Sequence, residues 1–104
     1  MKTPWGMSDS QKEIGMGIIC ITTPSHGGYF VPNETQKLMK EEVRNVSTFA
    51  GRSNSGVWYE EDCDWALVCY SFPDLFPKEA YSHALNTIKH FHKSVKLNND
   101  GGMI

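Results

Sequence analysis

The sequence predicts an α+β domain: a small antiparallel sheet with two or three helices packed on one face. Three observations carry this. β-Branched runs bounded by turn residues occupy the first third of the chain. Helical periodicity takes over toward the C-terminus. The 104 residues make one core's worth of chain, so residues 1–104 read as a single domain. Strands followed by helices, rather than alternating with them, give the α+β class.

From Ile14 to Thr22 the run Ile18-Ile19-Cys20-Ile21 reads as a buried strand that Pro24 brings to an end. Gly27-Gly28 is the strongest turn signal, and Tyr29-Phe30-Val31 reads as the returning antiparallel strand. Asn33 offers an N-cap with Gln36 as its capping-box partner. Leu38, Met39, Val43 and Val46 then extend a helix from Glu34 to about Val46. Thr48 to Gly56 reads as a loop, and Val57-Trp58-Tyr59 as a short strand.

From Asp62 to Phe72 a buried strand and a buried helix fit the periodicity equally well. Asp62 as N-cap, the acidic first turn and Pro73 after the end favour a helix. The last helix opens at Pro77 and carries Ala84, Ile88, Phe91 and Val95 on one stripe, widened by Tyr81 and Leu85. Met1 to about Ser10 and residues 97–104 read as frayed ends.

Ten basic and twelve acidic residues give a net charge of -2, which argues against direct, general nucleic-acid binding. The longest apolar run falls far short of the roughly 20 residues a membrane-spanning helix needs, and no leader peptide is visible. Three cysteines without CxxC spacing point to reduced thiols in a cytoplasmic protein, with no disulfide framework and no zinc site. Composition indicates no cofactor and leaves the oligomeric state open.

Three stretches have chemistry to offer. In Thr22-Thr23-Pro24-Ser25-His26-Gly27-Gly28-Tyr29 the glycines allow close backbone approach, and His26 sits at a turn where it can titrate. Ser25 beside His26 is a poor nucleophile–base pair, because catalytic triads assemble from distant positions. In Trp58-Tyr59-Glu60-Glu61-Asp62-Cys63-Asp64-Trp65 four carboxylates crowd together with no cation until Lys78. That density suits a basic partner surface better than a calcium loop, whose glycine and oxygen periodicity are missing. Cys63 resembles a helix-opening nucleophile, but its acidic neighbours raise the thiol pKa. The third stretch holds His83, His90 and His92. His90 and His92 point about 200° apart on a helix and cannot share an ion, so this reads as solvated surface with a mildly basic side.

Trp5-Gly6, Thr23-Pro24-Ser25-His26-Gly27-Gly28-Tyr29, Trp58 through Ala66 and Phe72-Pro73 together resemble a family of small bacterial proteins of unknown function, found on phages, plasmids and integrated mobile elements. The resemblance runs from Trp5 to about Phe91, and the stretch from Asn45 to Gly56 departs from it. It carries over no catalytic residue. Its implied context is mobile-element cargo, and small cargo of this kind often binds and inhibits a host defence protein, such as a CRISPR or restriction component.

The leading expectation is therefore a non-enzymatic protein that docks a host protein with a basic surface. Its candidate contact residues are Ser25, His26, Tyr29, Trp58, Tyr59, Glu60, Glu61, Asp62 and Asp64. The alternative is a small enzyme in which His26 meets Glu61, Asp62 or Cys63 across the fold as an acid–base or nucleophilic pair.

Overall fold

The computed structural model describes residues 2–97. The chain opens with a hairpin of two very short strands, β1 (Lys2–Thr3) and β2 (Gly6–Met7). The Thr3 hydroxyl donates to the Gly6 carbonyl at 2.6 Å and accepts the Trp5 N–H at 3.1 Å, which closes the turn. Residues 2–7, expected to fray, are thus paired. Their expected disorder rested on polarity, whereas the hairpin is held by one hydroxyl and by the docking of Trp5. The expected fraying at the other end falls mostly on residues 98–104, outside the described residues.

A four-stranded antiparallel meander follows, in the order β3 (Ser10–Gly15), β4 (Ile18–Thr22), β5 (Gly27–Pro32), β6 (Gly56–Glu60). The expected pairing of β4 with β5 is present, from Ile19↔Phe30 to Thr22↔Gly27. Ile14 belongs to the separate strand β3. Met16 and Gly17, both at positive φ (55° and 79°), turn that strand into β4, matching the twist of a tight hairpin.

Between β5 and β6 lies α1 (Asn33–Gln36), a single turn. The longer helix expected to Val46 does not form. Instead Leu38, Met39, Val43 and Val46 each bond back three residues, in tight successive turns. Tertiary contacts explain the break. Gln36 and Met39 both turn inward to the buried Tyr59 hydroxyl, the Lys40 N–H is taken by Ser71 Oγ, and Leu38 is left 60% exposed. The Asn33–Gln36 capping box is absent: Pro32 holds the N-cap position, Asn33 donates to the Asn54 carbonyl, and Gln36 is buried.

After β6 comes α2 (Trp65–Ser71), then a 3-10 turn (Pro73–Leu75) and α3 (Ala80–Phe91). Residues 66–70 are all buried, which is why this helix shows no amphipathic period. Alternation sorts the sheet into two faces. Ile18, Val31, Val57 and Tyr59 join α2 and α3 in the main core. Phe30 and Trp58 point the other way, and Trp5 packs edge-on to Trp58 at 5.8 Å. The helices cover one face, and Trp5 from the hairpin covers part of the other. The fold is α+β.

Candidate functional site

The turn at residues 23–26 is closed by Thr23, whose N–H and hydroxyl both donate to the His26 carbonyl while the hydroxyl accepts the His26 N–H. At the far end of β6 the Glu61 N–H donates to the Gly27 carbonyl at 2.9 Å. These two closures bring the two sequence motifs side by side. His26 Nδ1 lies 3.9 Å from Glu61 Oε2, with both side chains about half exposed, at 56% and 51%. Ser25 Oγ donates to the Trp5 carbonyl at 3.3 Å, so the N-terminal hairpin completes this corner. Asp62 is exposed beside it.

The other candidate contact residues are placed elsewhere. Tyr29 and Tyr59 lie on the helix-covered face. Tyr29 packs on Phe76 at 5.4 Å, and burial followed by the neighbouring Cys20 thiol pushes its hydroxyl up to about 12. Tyr59 is 2% exposed and exchanges hydrogen bonds with Gln36; burial pushes it up to about 12 as well. Trp58 is half-buried on the opposite face. The glycines of the first motif do not admit a ligand to the backbone. The space over Gly28 is filled by the Tyr59 carbonyl and the Trp5 ring, and that over Gly27 by the Ile21 carbonyl.

Glu60 turns back along the chain. Its Oε1 accepts the N–H of Cys63 and, at 3.2 Å, that of Asp64. Asp62, which the sequence assigns as the cap, lies ahead of the helix: Asp64 holds the N-cap position with no side-chain cap bond, and Glu60 instead closes the turn that leads into α2. Partial burial pushes the Glu60 carboxyl up, but the N–H groups of Cys63, Asp62 and Asp64 outweigh it and hold the carboxyl below its ordinary value. A carboxyl lowered by folding stabilises the native state above that ordinary value, and its contribution is lost as pH falls through the folded value. Acid unfolding of Glu60→Gln should accordingly show a shallower loss of thermal midpoint below the usual carboxylate range than the wild type. Superimposable profiles would remove Glu60 from that role. The adjoining Cys63 thiol is pushed up to about 11 by burial and then by Glu60, so it is protonated near neutral pH and a poor nucleophile.

Asp64 is the largest departure from the expected acidic surface. Its side chain is fully buried. Oδ2 accepts the N–H of Phe49 at 2.8 Å, Ala50 at 3.3 Å and Glu60 at 3.4 Å. A buried carboxylate needs such donors, and backbone N–H groups in a turn supply them. It is unavailable to a partner. Oδ1 faces His92 Nε2 at 3.2 Å, with His92 itself 5% exposed. The two atoms are in close contact without hydrogen-bond alignment. Phe49, whose ring centroid lies 5.8 Å from the imidazole, packs beside this pair.

His92, expected on the solvated surface, is thus interior, while Phe91, expected in the core, is 48% exposed. A signal for this was present: Ala84, Ile88 and His92 recur every four residues, which places His92 rather than Phe91 on the buried stripe. Asp64 carried no comparable signal, because its burial depends on the loop at residues 48–51 folding over it. Among the described residues no group of three or more His, Cys, Asp or Glu side chains could hold a metal ion. No described helix is long and apolar enough to cross a membrane.

No curated protein and no solved structure matches the chain. A family described as a domain of unknown function, DUF7007, matches residues 1–95. That span takes in the hairpin, the whole sheet and all three helices, so the chain belongs to the DUF7007 family.

Proposed function

We propose that the chain is a non-enzymatic protein of a phage or mobile element that acts in the cytoplasm by binding a host protein with a basic surface. The contact is the corner formed by Ser25, His26, Glu61 and Asp62. One observation carries the reading: Glu61 and Asp62 are both exposed, and among the described residues neither pairs with a lysine or arginine. Exposed carboxylates beside a turn, with no lysine or arginine partner, are complementary to a cationic patch and steer its approach. The resemblance to mobile-element proteins supplies the setting, in which a defence component such as a CRISPR or restriction protein is the target.

The contact set is smaller than the sequence suggests. Tyr29, Tyr59 and Asp64 are engaged in the core, and Glu60 caps its own turn. The test follows from that reduction. In affinity capture from host lysate, Glu61→Gln/Asp62→Asn should lose a stoichiometric, basic partner that the wild type retains. The variant's stability should stay within about 1 kcal/mol of the wild type, because each of two exposed substitutions changes it by no more than about 0.5 kcal/mol. Retention of the same partner by the double variant would overturn the acidic-corner reading.

The enzymatic alternative has one observation in its favour. His26 and Glu61 come within 3.9 Å, close enough for proton exchange through a slight rotation or a bridging water. The corner is open to solvent, however, and the thiol that would act as nucleophile is held protonated. The binding reading therefore takes precedence.

A further inference from the structure

Three adjoining clefts lie where the segment after α1 meets the end of α3. The first has Arg52 on its wall and shares Val46, Ser47 and Thr48 with the second. The second, of 430 Å³, is lined by Phe49, Phe91 and His92 and shares Lys93 with the third. The third is walled by Lys89 and Lys96. The shared residues set the three side by side as one trough-like region, and its central cleft falls within the roughly 300–1,000 Å³ of ligand sites.

The trough is electrostatically one-sided. Among the described residues, four cations line it and no aspartate or glutamate does. Among the described residues, none of Arg52, Lys89, Lys93 and Lys96 forms an ion pair with a carboxylate. The C-terminus of α3 contributes roughly half a negative charge, which offsets only part of the three lysines beside it. On a chain of net charge -2 this is a local cationic excess facing an open cleft.

Its middle is aromatic. Phe49 is 68% exposed and Phe91 48%. Phe49 is not a loose side chain: Asp64 Oδ2 holds its N–H at 2.8 Å, and its ring is tilted 55° against His92. The buried Asp64–His92 pair thus fixes an aromatic face in the open. Exposed rings for bases to stack on, set between cations that track a phosphate backbone, are the two components of single-strand recognition. An acidic protein partner would need the cations but not the rings.

We propose that this trough binds single-stranded nucleic acid, with bases against Phe49 and Phe91 and phosphates along Arg52, Lys93, Lys89 and Lys96. The site uses none of the residues of the acidic corner and stands independently of the function proposed above. The net charge that argues against a general nucleic-acid binder is an average over the chain, and this trough is a local exception to it.

Fluorescence polarisation on the full chain tests the proposal, using a labelled oligothymidylate of about 12 nucleotides, within the roughly 4–16 that single-strand sites cover. Unlabelled competitors are a duplex of equal length, ATP and heparin. Expected is binding below about 100 μM, the weak limit of ordinary nucleic-acid affinity, with a log–log salt slope of up to about -2.8 for four phosphate contacts. Phe49→Ala and Phe91→Ala should each weaken binding by about 5- to 150-fold at fixed salt. Arg52→Gln and Lys93→Gln should each make the slope shallower by about 0.7. Both rings are largely outside the core, and unchanged thermal midpoints would confirm that folding is intact. Absence of binding below that limit would overturn the proposal. So would competition by ATP alone, which assigns a free nucleotide. Equal affinity for duplex or heparin with no loss on removing the rings would also overturn it, assigning a mere polyanion patch.

Discussion

Replacing Asp64 with alanine is expected to destabilise the fold by about 3 kcal/mol or more, at about 1–3 kcal/mol for each enclosed donor left without its acceptor. Each kcal/mol shifts the midpoint of a domain this size by roughly 4–8 °C, so the expected fall is about 15 °C or more. The cause is local. Three backbone N–H groups, of Phe49, Ala50 and Glu60, lose their shared acceptor, and His92 Nε2 is left facing a void. Asp64→Asn keeps one side-chain oxygen for the N–H groups and should lose distinctly less. Chemical denaturation of both variants checks the ordering. A loss below 1 kcal/mol for the alanine variant would show that the carboxylate is not the anchor of residues 49 and 50. Were it on the surface with its acidic neighbours, the same change would shift stability by no more than about 0.5 kcal/mol.

Gly28→Ala should be damaging for a different reason. A β-carbon built there lies 2.2 Å from the Tyr59 carbonyl oxygen and 2.7 Å from the Trp5 ring. The carbonyl belongs to the paired strand, where Gly28 stands opposite Glu60, and it cannot retreat without parting β5 from β6. Overpacking of this kind costs about 1–3 kcal/mol and occasionally more; a backbone atom as the obstacle puts this case at or above the upper end. The combination with Trp5→Ala separates the two obstacles. Because the carbonyl is nearer than the ring, removing the indole should give no rescue. Full recovery of the melting temperature in the double variant would show instead that Trp5 alone requires the glycine.

These two residues mark what the sequence discloses and what it hides. The β4–β5 hairpin, β6 and α3 are legible because β-branched runs, a glycine pair and a four-residue apolar repeat encode them locally. Strand β3 is barely legible: Ser10 to Glu13 is exposed throughout, so no alternation marks it, and Met16-Gly17 is not a typical turn pair. The helix expected from Glu34 to Val46 fails because Tyr59, far along the chain, draws Gln36 and Met39 inward. The candidate sites follow the same logic. His26 and Glu61 come within 3.9 Å because the turn after β4 and the end of β6 flank the same end of β5. Which carboxylates face water, however, is decided by long-range folding. Glu61 and Asp62 stay outside, Glu60 curls onto its own turn, and Asp64 is enclosed by residues whose sequence does not mention it.

The excursion between β5 and β6 has one more consequence. Its base is clamped: the Asn33 N–H donates to the Ser55 carbonyl at 3.0 Å and the Asn33 side chain to the Asn54 carbonyl at 2.8 Å, continuing the ladder that ends at Pro32↔Gly56. Its far half is tied back as well: Thr48 donates to the Trp58 carbonyl, Trp58 donates to the Gly51 carbonyl, and Asp64 holds the N–H groups of Phe49 and Ala50. Doubling the length of such a loop adds only about 0.6 kcal/mol of closure entropy. Of the stretch that lines the trough, Thr48 to Gly51 is anchored in this way, so tolerance to lengthening falls on the exposed residues 52–55 beyond those anchors. Insertions there can alter what the molecule meets on that side while the sheet, the core and the opposite corner stay as they are.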